Sequence, residues 1–271
     1  MSLYLGAYAL FGGLDAQQEA AGYAALREWD LAGLELPLVN LVPGWLKQHA
    51  DPVWDLVVTC IPSVMGALAL NPTYGLASPD EAGREAALAD VRHALERATA
   101  VDETAGRRRV TAVQIHSAPS LLAAAEPFAR SLDEIARWGI DVPIILEHCD
   151  APRAGGAHVK GFLTLAQELA VLAGREVKLG VNWGRSAIEG ESAATALEHV
   201  VATLVLITST SLGSLFDVRY AMVVPLTAVI TIQERSGSSI GYDFGSQANL
   251  AFELGLECLS LYQATSREIE S

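Results

Sequence analysis

Three short polar clusters hold the side chains of this chain best suited to chemistry: Ile115-His116-Ser117, Glu147-His148-Cys149-Asp150 and Asn182-Trp183-Gly184-Arg185. Each stands where an apolar run gives way to loop residues. Glu147 follows Val142-Pro143-Ile144-Ile145-Leu146, and a carboxylate there is costly to desolvate unless it is paired, hydrogen-bonded or bound to a metal; catalytic sites are where such costs are tolerated. Glu147 is therefore read as a metal ligand or proton-transfer base, against the plainer reading of a salt bridge to a neighbouring strand. The His116 imidazole suits a metal ligand or a proton shuttle near neutral pH. Arg185 presents a planar fork of donors that would orient a carboxylate, a phosphate or an enediolate-like transition state, or else anchor its own loop on Glu189 or Glu191.

Neighbours of these three widen the candidate set. Successive strand residues point to opposite faces, so His148 is expected to face away from Glu147, either contacting ligand or hydrogen-bonded between strand and helices. Asp150, two residues on, is a further metal-ligand candidate. Gln114 shares the facing of His116 and would bind substrate or satisfy a buried polar group. Glu35 would bind hydroxyl groups or form a structural ion pair, Asn182 is read as a substrate contact, and Trp183 would stack on the apolar face of a ligand or close the structure above it. Tyr74, in the turn-rich Asn71-Pro72-Thr73-Tyr74-Gly75, is a candidate cover over bound ligand or a plain turn residue. His49, His93 and His158 are expected to be exposed and His199 to sit near a helix end.

Elements that could bring such distant residues together follow from the rhythm of the chain. Runs rich in Val, Ile, Leu and Thr alternate with longer stretches rich in Ala, Leu, Glu and Arg, the pattern of repeated βα units. Eight strands are expected: Leu3 to Ala9, Leu31 to Leu38, Trp54 to Ile61, Arg109 to His116, Val142 to His148, Glu176 to Asn182, Val201 to Ser209, and Met222 to Gln233. Helix starts are signalled by Asp15, by Ser78-Pro79-Asp80-Glu81 ahead of a helix to about Thr99, and by Thr164 with Gln167, which opens a helix that Gly174 can close. Tyr23, Leu26 and Trp29 lie at helical spacing and are read as core. In a closed (β/α)₈ TIM barrel the carboxyl ends of all strands face one mouth, so the three polar clusters would meet there, while Arg107-Arg108-Arg109, before the fourth strand, would lie at the opposite face. The last two βα units are expected to be irregular, since Thr210 to Ala221 leaves about a dozen residues for a crossover.

The 271 residues, 51% hydrophobic, suit one barrel domain over 1–271, with 1–199 the regular part and 200–271 its closing segment. A net charge of −14 argues against nucleic acid, because displacing counterions from a phosphate backbone needs clustered Lys and Arg. Cys60, Cys149 and Cys258 show neither zinc-site spacing nor disulfide density, which favours a cytoplasmic protein. Met1 to Leu14 does not read as a signal peptide. Val200 to Phe216 and Tyr220 to Ile232 fall short of the about 18 apolar residues of a membrane span and read as buried strands. No GxGxxG in context, GxxxxGK[ST] or GxSxG motif points to nucleotide or serine-hydrolase chemistry.

From Leu3 to about His199 the chain resembles the xylose-isomerase-like superfamily of TIM barrels, and within it a bacterial family of uncharacterised function. The likeness rests on Gly6-Ala7-Tyr8, Gly33-Leu34-Glu35-Leu36-Pro37, Leu56-Val57-Val58-Thr59-Cys60-Ile61-Pro62, Ile115-His116-Ser117-Ala118-Pro119, Leu146-Glu147-His148-Cys149-Asp150 and Asn182 to Gly190. The resemblance implies a mouth holding one or more divalent metals where a sugar or polyol is isomerised, epimerised or cleaved. It matches Glu147 to a fifth-strand metal ligand and His116 to a fourth-strand histidine; Asn182 departs from the aspartate usual on the sixth strand, and Glu234 is the nearest match to a last-strand glutamate. The expected function is a sugar or polyol isomerase or epimerase using Mg²⁺, Mn²⁺ or Zn²⁺ held by Glu147, His116 and Asp150. A metal-dependent hydrolase or lyase, and a non-catalytic sugar-binding barrel that has lost its metal set, are the alternatives. A homo-oligomer is compatible with the sequence.

Overall fold

The computed structural model describes residues 4–11, 14–29, 31–153 and 160–209. In chain order the elements are β1 (Tyr4–Leu5), α1 (Tyr8–Phe11), α2 (Ala16–Ala25), β2 (Gly33–Pro37), α3 (Pro43–His49), β3 (Asp55–Thr59), α4 (Ile61–Leu70), α5 (Glu81–Ala105), β4 (Val110–Ile115), α6 (Ala125–Arg137), β5 (Ile144–His148), α7 (Leu165–Leu172), β6 (Lys178–Val181), α8 (Trp183–Gly190) and α9 (Ala193–Ser209). The strands form one parallel sheet in the order β1 to β6, curled into a half-barrel.

The pleat sorts side chains into two layers. Leu34, Leu36, Leu56, Val58, Val113, Ile115, Leu146 and Leu179 join Leu88, Leu95, Phe128, Leu132, Ile135 and Val171 in the main core between sheet and helices. Val57, Ala112 and Ile145 form a separate small cluster on the inner face. Above it, on the same inner face, stand Glu35, Gln114 and Glu147, so that face is apolar below and polar towards the strand ends. Gly33 permits the tight approach of β1, β2 and β3: a Cβ there would collide with the Asp55 carbonyl and the Tyr4 ring.

Capping residues set the helix phases. Asp15 makes a capping box with Gln18, as does Thr164 with Gln167, and Gly174 turns the chain after α7 at φ +78°. Asp80, rather than Ser78, caps α5, accepting from Gly83 N at 2.9 Å, and the helix runs past Thr99 to Ala105 before Gly106 ends it in a left-handed conformation. The basic triplet is structural: Arg107 pairs with Asp55 and binds the Val53 carbonyl at 3.0 Å, and Arg109 binds the Asp51 carbonyl at 2.8 Å.

Several expectations are corrected. The first strand is only Tyr4–Leu5 and gives way to α1. Val201 to Ser209 is the end of helix α9 and not a seventh strand. Its β-branched residues favour strands only weakly, and a helix nucleated upstream in Ala193 to His199 propagates through them; Thr203 Oγ1 settles its hydroxyl on the His199 carbonyl at 2.8 Å. Trp29 is 58% exposed whereas Tyr23 and Leu26 are core. His49 is buried and stacked on Trp45 at 4.6 Å between ring centroids, its Nδ1 at 3.0 Å from the Trp45 carbonyl. Tyr74 is buried with its hydroxyl on Asp90 at 2.8 Å, so it is a packing residue. The expected strand Met222 to Gln233, Glu234, Cys258 and His158 lie outside the described residues. Among the described residues, no helix is long and apolar enough to cross a membrane.

Candidate active site at the carboxyl ends of the strands

Glu147 occupies the centre of the polar rim. It is buried at the end of β5, where His116 Nε2 lies 2.7 Å from Oε2 and Asn182 Nδ2 donates to Oε1 at 2.6 Å. Asn182 caps α8, its Oδ1 accepting from Arg185 N at 3.1 Å, which fixes its amide with the donor end towards Glu147. Burial pushes the Glu147 carboxyl up, but the hydrogen bond and charge of His116, the Asn182 amide and the Arg185 charge outweigh it; the net direction is down and the group is held anionic.

Glu35, across the curl on β2, has the opposite disposition. Burial and the charge of Glu147 push its carboxyl up to about 8, against the hydrogen bonds from Tyr8 and Gln114 that favour the anion. Tyr8 Oη donates to Oε1 at 3.2 Å, and Gln114 Nε2 reaches Oε2 at 3.5 Å over the intervening β3. Two carboxyls on one face are thus separated into an anion and a proton holder.

Arg185 neither pairs with Glu189 nor with Glu191; its guanidinium lies 3.8 Å from Asp150 Oδ1 and remains part exposed. Asp150 Oδ2 accepts from Lys160 N at 2.8 Å and Gly161 N at 3.4 Å, so this carboxylate organises the loop after β5 and is not grouped with the Glu147 and His116 donors. In its place stands Cys149, whose thiol lies within 4.8 Å of the ligand atoms of both. Burial and the charge of Glu147 raise that thiol well above its ordinary value. Among the described residues, His116 Nδ1 and Trp183 Nε1 are buried nitrogens without a hydrogen-bond partner. Lys160, which the sequence did not single out, is lowered by burial and then by the Arg185 charge. Tyr8 was given no role either, although it stands in the Gly6-Ala7-Tyr8 block that carries the resemblance.

His148 is separate from this group, as the alternation of the strand requires. Fully buried on the outer face of β5, it sets Nδ1 at 2.6 Å from Glu168 Oε2 and Nε2 at 3.2 Å from Glu189 Oε2. Burial lowers its pKa, but the charge and hydrogen bond of Glu168 and those of Glu189 outweigh this and lift it to about 9. The proposed substrate contact at His148 is therefore corrected: it is walled off by the sheet. His199, expected near a helix end, lies within α9 and meets the His148 ring edge-on at 4.9 Å between centroids.

The family described as Domain of unknown function (DUF4862) matches residues 4–213. The chain belongs to this family. Its match to DUF4862 continues past Val200, beyond where the resemblance read from the sequence ends. An uncharacterized protein of Salmonella typhimurium (strain LT2) is 38% identical over 179 residues, 63% of this chain and 57% of that protein; the chain thus spans little more than half the length of the curated relative it matches. Two solved structures are similar to part of this chain. A D-tagatose 3-epimerase-like protein is 17% identical, with a TM-score of 0.47 over 73% of this chain and 71% of that one. A D-psicose 3-epimerase solved in the presence of D-fructose is 14% identical, with a TM-score of 0.44 over 65% of this chain and 63% of that one. Likenesses at this level say nothing about the reaction of a DUF4862 chain.

Proposed function

We propose that this chain is an isomerase or epimerase of a small sugar or polyol, working at the mouth of a single barrel domain that closes with eight strands. The observation carrying this reading is the pairing of an anionic Glu147 with a proton-holding Glu35 on one inner face. Moving a proton next to a carbonyl needs an ionised base to take it and a protonated acid to give one back. Glu147 takes the proton from the carbon beside the carbonyl, and its electron pair moves onto the carbonyl oxygen to give an enediolate. Arg185 and Lys160 offset the developing charge, and His116 and Asn182 hold the Glu147 carboxylate in line. Return of a proton to the former carbonyl carbon, with the hydroxyl proton of its neighbour passing to the enolate oxygen, isomerises the sugar; return of a proton to the opposite face of the original carbon epimerises it. Tyr8, Gln114 and Trp183 offer hydrogen-bonding groups to the substrate hydroxyls.

His116, Glu147 and Cys149 are the residues that would hold a divalent ion here, and that ion, when bound, would polarise the carbonyl. The imidazole and thiol in the set suit Zn²⁺ better than Mg²⁺ or Mn²⁺.

The test is solvent exchange. A panel of aldoses, ketoses and polyols incubated in D₂O with the protein is followed by proton NMR for deuterium entering next to the carbonyl. The substrate so found should lose exchange by about 10²-fold or more with Glu147→Gln, while circular dichroism reports an intact fold. Exchange by the variant at the wild-type rate would refute the assignment of the base.

A further inference from the structure

We propose that His148, Glu189 and His199 form a metal site of their own on the outer face of the sheet, taking Zn²⁺ or a similar borderline divalent ion and locking α8 and α9 against β5. This site shares no residue with the proposed chemistry at the mouth.

Three donors converge from three elements. His148 Nε2 comes from β5, the Glu189 carboxylate from α8 and His199 Nε2 from α9, and their ligand atoms lie within 4.8 Å of one another. His148 Nε2 stands 3.2 Å from Glu189 Oε2, and His199 Nε2 4.0 Å from Glu189 Oε1. Two ligands each about 2.0–2.1 Å from a tetrahedral Zn²⁺ are about 3.3 Å apart, so His148 Nε2 and Glu189 Oε2 already have that spacing, and His199, which faces the other oxygen of the carboxylate, has to close on the pair.

The far nitrogens of both rings are engaged, and this sets the tautomer that a metal needs. His148 Nδ1 is held by Glu168 Oε2 at 2.6 Å, and Glu168 is itself fixed by Ser117 Oγ at 2.6 Å. His199 Nδ1 lies 2.9 Å from the Ser186 hydroxyl. A ring whose Nδ1–H is donated turns the Nε2 lone pair outward, and a carboxylate behind a liganding histidine makes it more basic. Glu189 is also oriented, accepting from Ala151 N at 3.0 Å through Oε2.

Charge favours the same occupant. Glu168 and Glu189 have no Lys or Arg partner among the described residues, only imidazoles, so a divalent ion would compensate two carboxylates whose shared surroundings are largely buried. On binding, the ion replaces any proton on His148 Nε2, which leaves to solvent. His148 is fully buried, whereas the side chains of Glu189 and His199 are 18% and 13% exposed, so the open fourth position faces outward and water completes the set. The sheet separates the site from Glu147. Its effect on the mouth runs through α8, which the ion would pin at Glu189 while its first turn, seven residues earlier, presents the Asn182 cap to Glu147.

Elemental analysis and Co²⁺ spectroscopy on the full chain test this. In a Glu147→Gln/Cys149→Ser protein, which lacks two of the three mouth donors, one equivalent of Zn²⁺ should remain bound, and Co²⁺ should give the intense visible bands of a four-coordinate ion. His199→Gln and Glu189→Gln on that background should abolish both signals. Glu168→Gln should weaken binding about 10- to 100-fold. Zn²⁺ should raise the unfolding temperature of the parent and not of the His199→Gln form. The proposal is overturned if the folded parent protein takes up no Zn²⁺ or Co²⁺, or if the His199→Gln form binds as tightly. Should Glu189→Gln fail to fold, His199→Gln decides alone.

Discussion

Glu35→Gln should make the protein more stable at neutral and alkaline pH, and the gain should grow with pH in a defined window. The wild-type carboxyl sits at about 8 in the folded chain against an ordinary 4.5, chiefly through burial and then through the charge of Glu147. A carboxyl whose folded value is raised binds its proton more tightly when folded, so its stabilising contribution is complete below about 4.5 and is lost as pH climbs towards 8. At about 1.4 kcal/mol per pH unit, the loss is about 3 kcal/mol at pH 7 and levels off near 5 kcal/mol above pH 8. Glutamine cannot ionise, and its Oε1 can still accept the Tyr8 hydroxyl. Urea unfolding followed by circular dichroism from pH 5 to pH 9 gives the difference between variant and wild type, in which titrations elsewhere cancel. That difference should rise with pH and then flatten, and it should shrink on a Glu147→Gln background, where the repelling charge is gone. Parallel curves, or a variant that loses ground as pH rises, would show that Glu35 is ionised in the folded protein and would remove the acid from the proposed pair.

Two further expectations concern the scaffold. Gly33→Ala would drive a methyl group onto the Asp55 carbonyl and the Tyr4 ring; the resulting strain should cost about 2 kcal/mol or more by urea unfolding, and a cost near zero would mean that β1 to β3 part freely. Arg84 is buried between α5 and α6, paired with Glu81 and reaching Ser131 Oγ and Glu134 Oε2, each at 3.3 Å. Arg84→Ala should cost about 1–3 kcal/mol, the modest end of buried-pair losses because Glu81 and Glu134 can rehydrate; an unchanged denaturation midpoint would mean that the pair is dispensable.

Much of the arrangement follows from local rules that a sequence exposes. Apolar runs ending in Glu147, His116 and Asn182 locate strand ends, and in a parallel sheet those ends share one side. The two-residue period puts Glu147 and His148 on opposite faces, and both lie where that period requires. Caps such as Asp15 and Thr164 were equally legible because their partners are three residues away. The run Val201 to Ser209 was not, since its apolar content fits a strand or a buried helix alike, and only the chain around it settles which. His49 and Trp29 exchanged expected environments for a related reason: burial depends on which helix faces are covered, and that is decided by neighbours remote in sequence.

Residue order alone determined that the carboxylate ending the fifth strand would point inward and its next neighbour outward, because the pleat is a property of the backbone. What tertiary structure alone decided is the company each one keeps. The Glu35 carboxyl is raised because the fold buries it and then because the sheet curls it towards the charge of Glu147, and His148 meets Glu168, Glu189 and His199 because three helices pack behind β5. Electrostatic energies depend on distance and on the exclusion of water, and neither is fixed until the chain has folded.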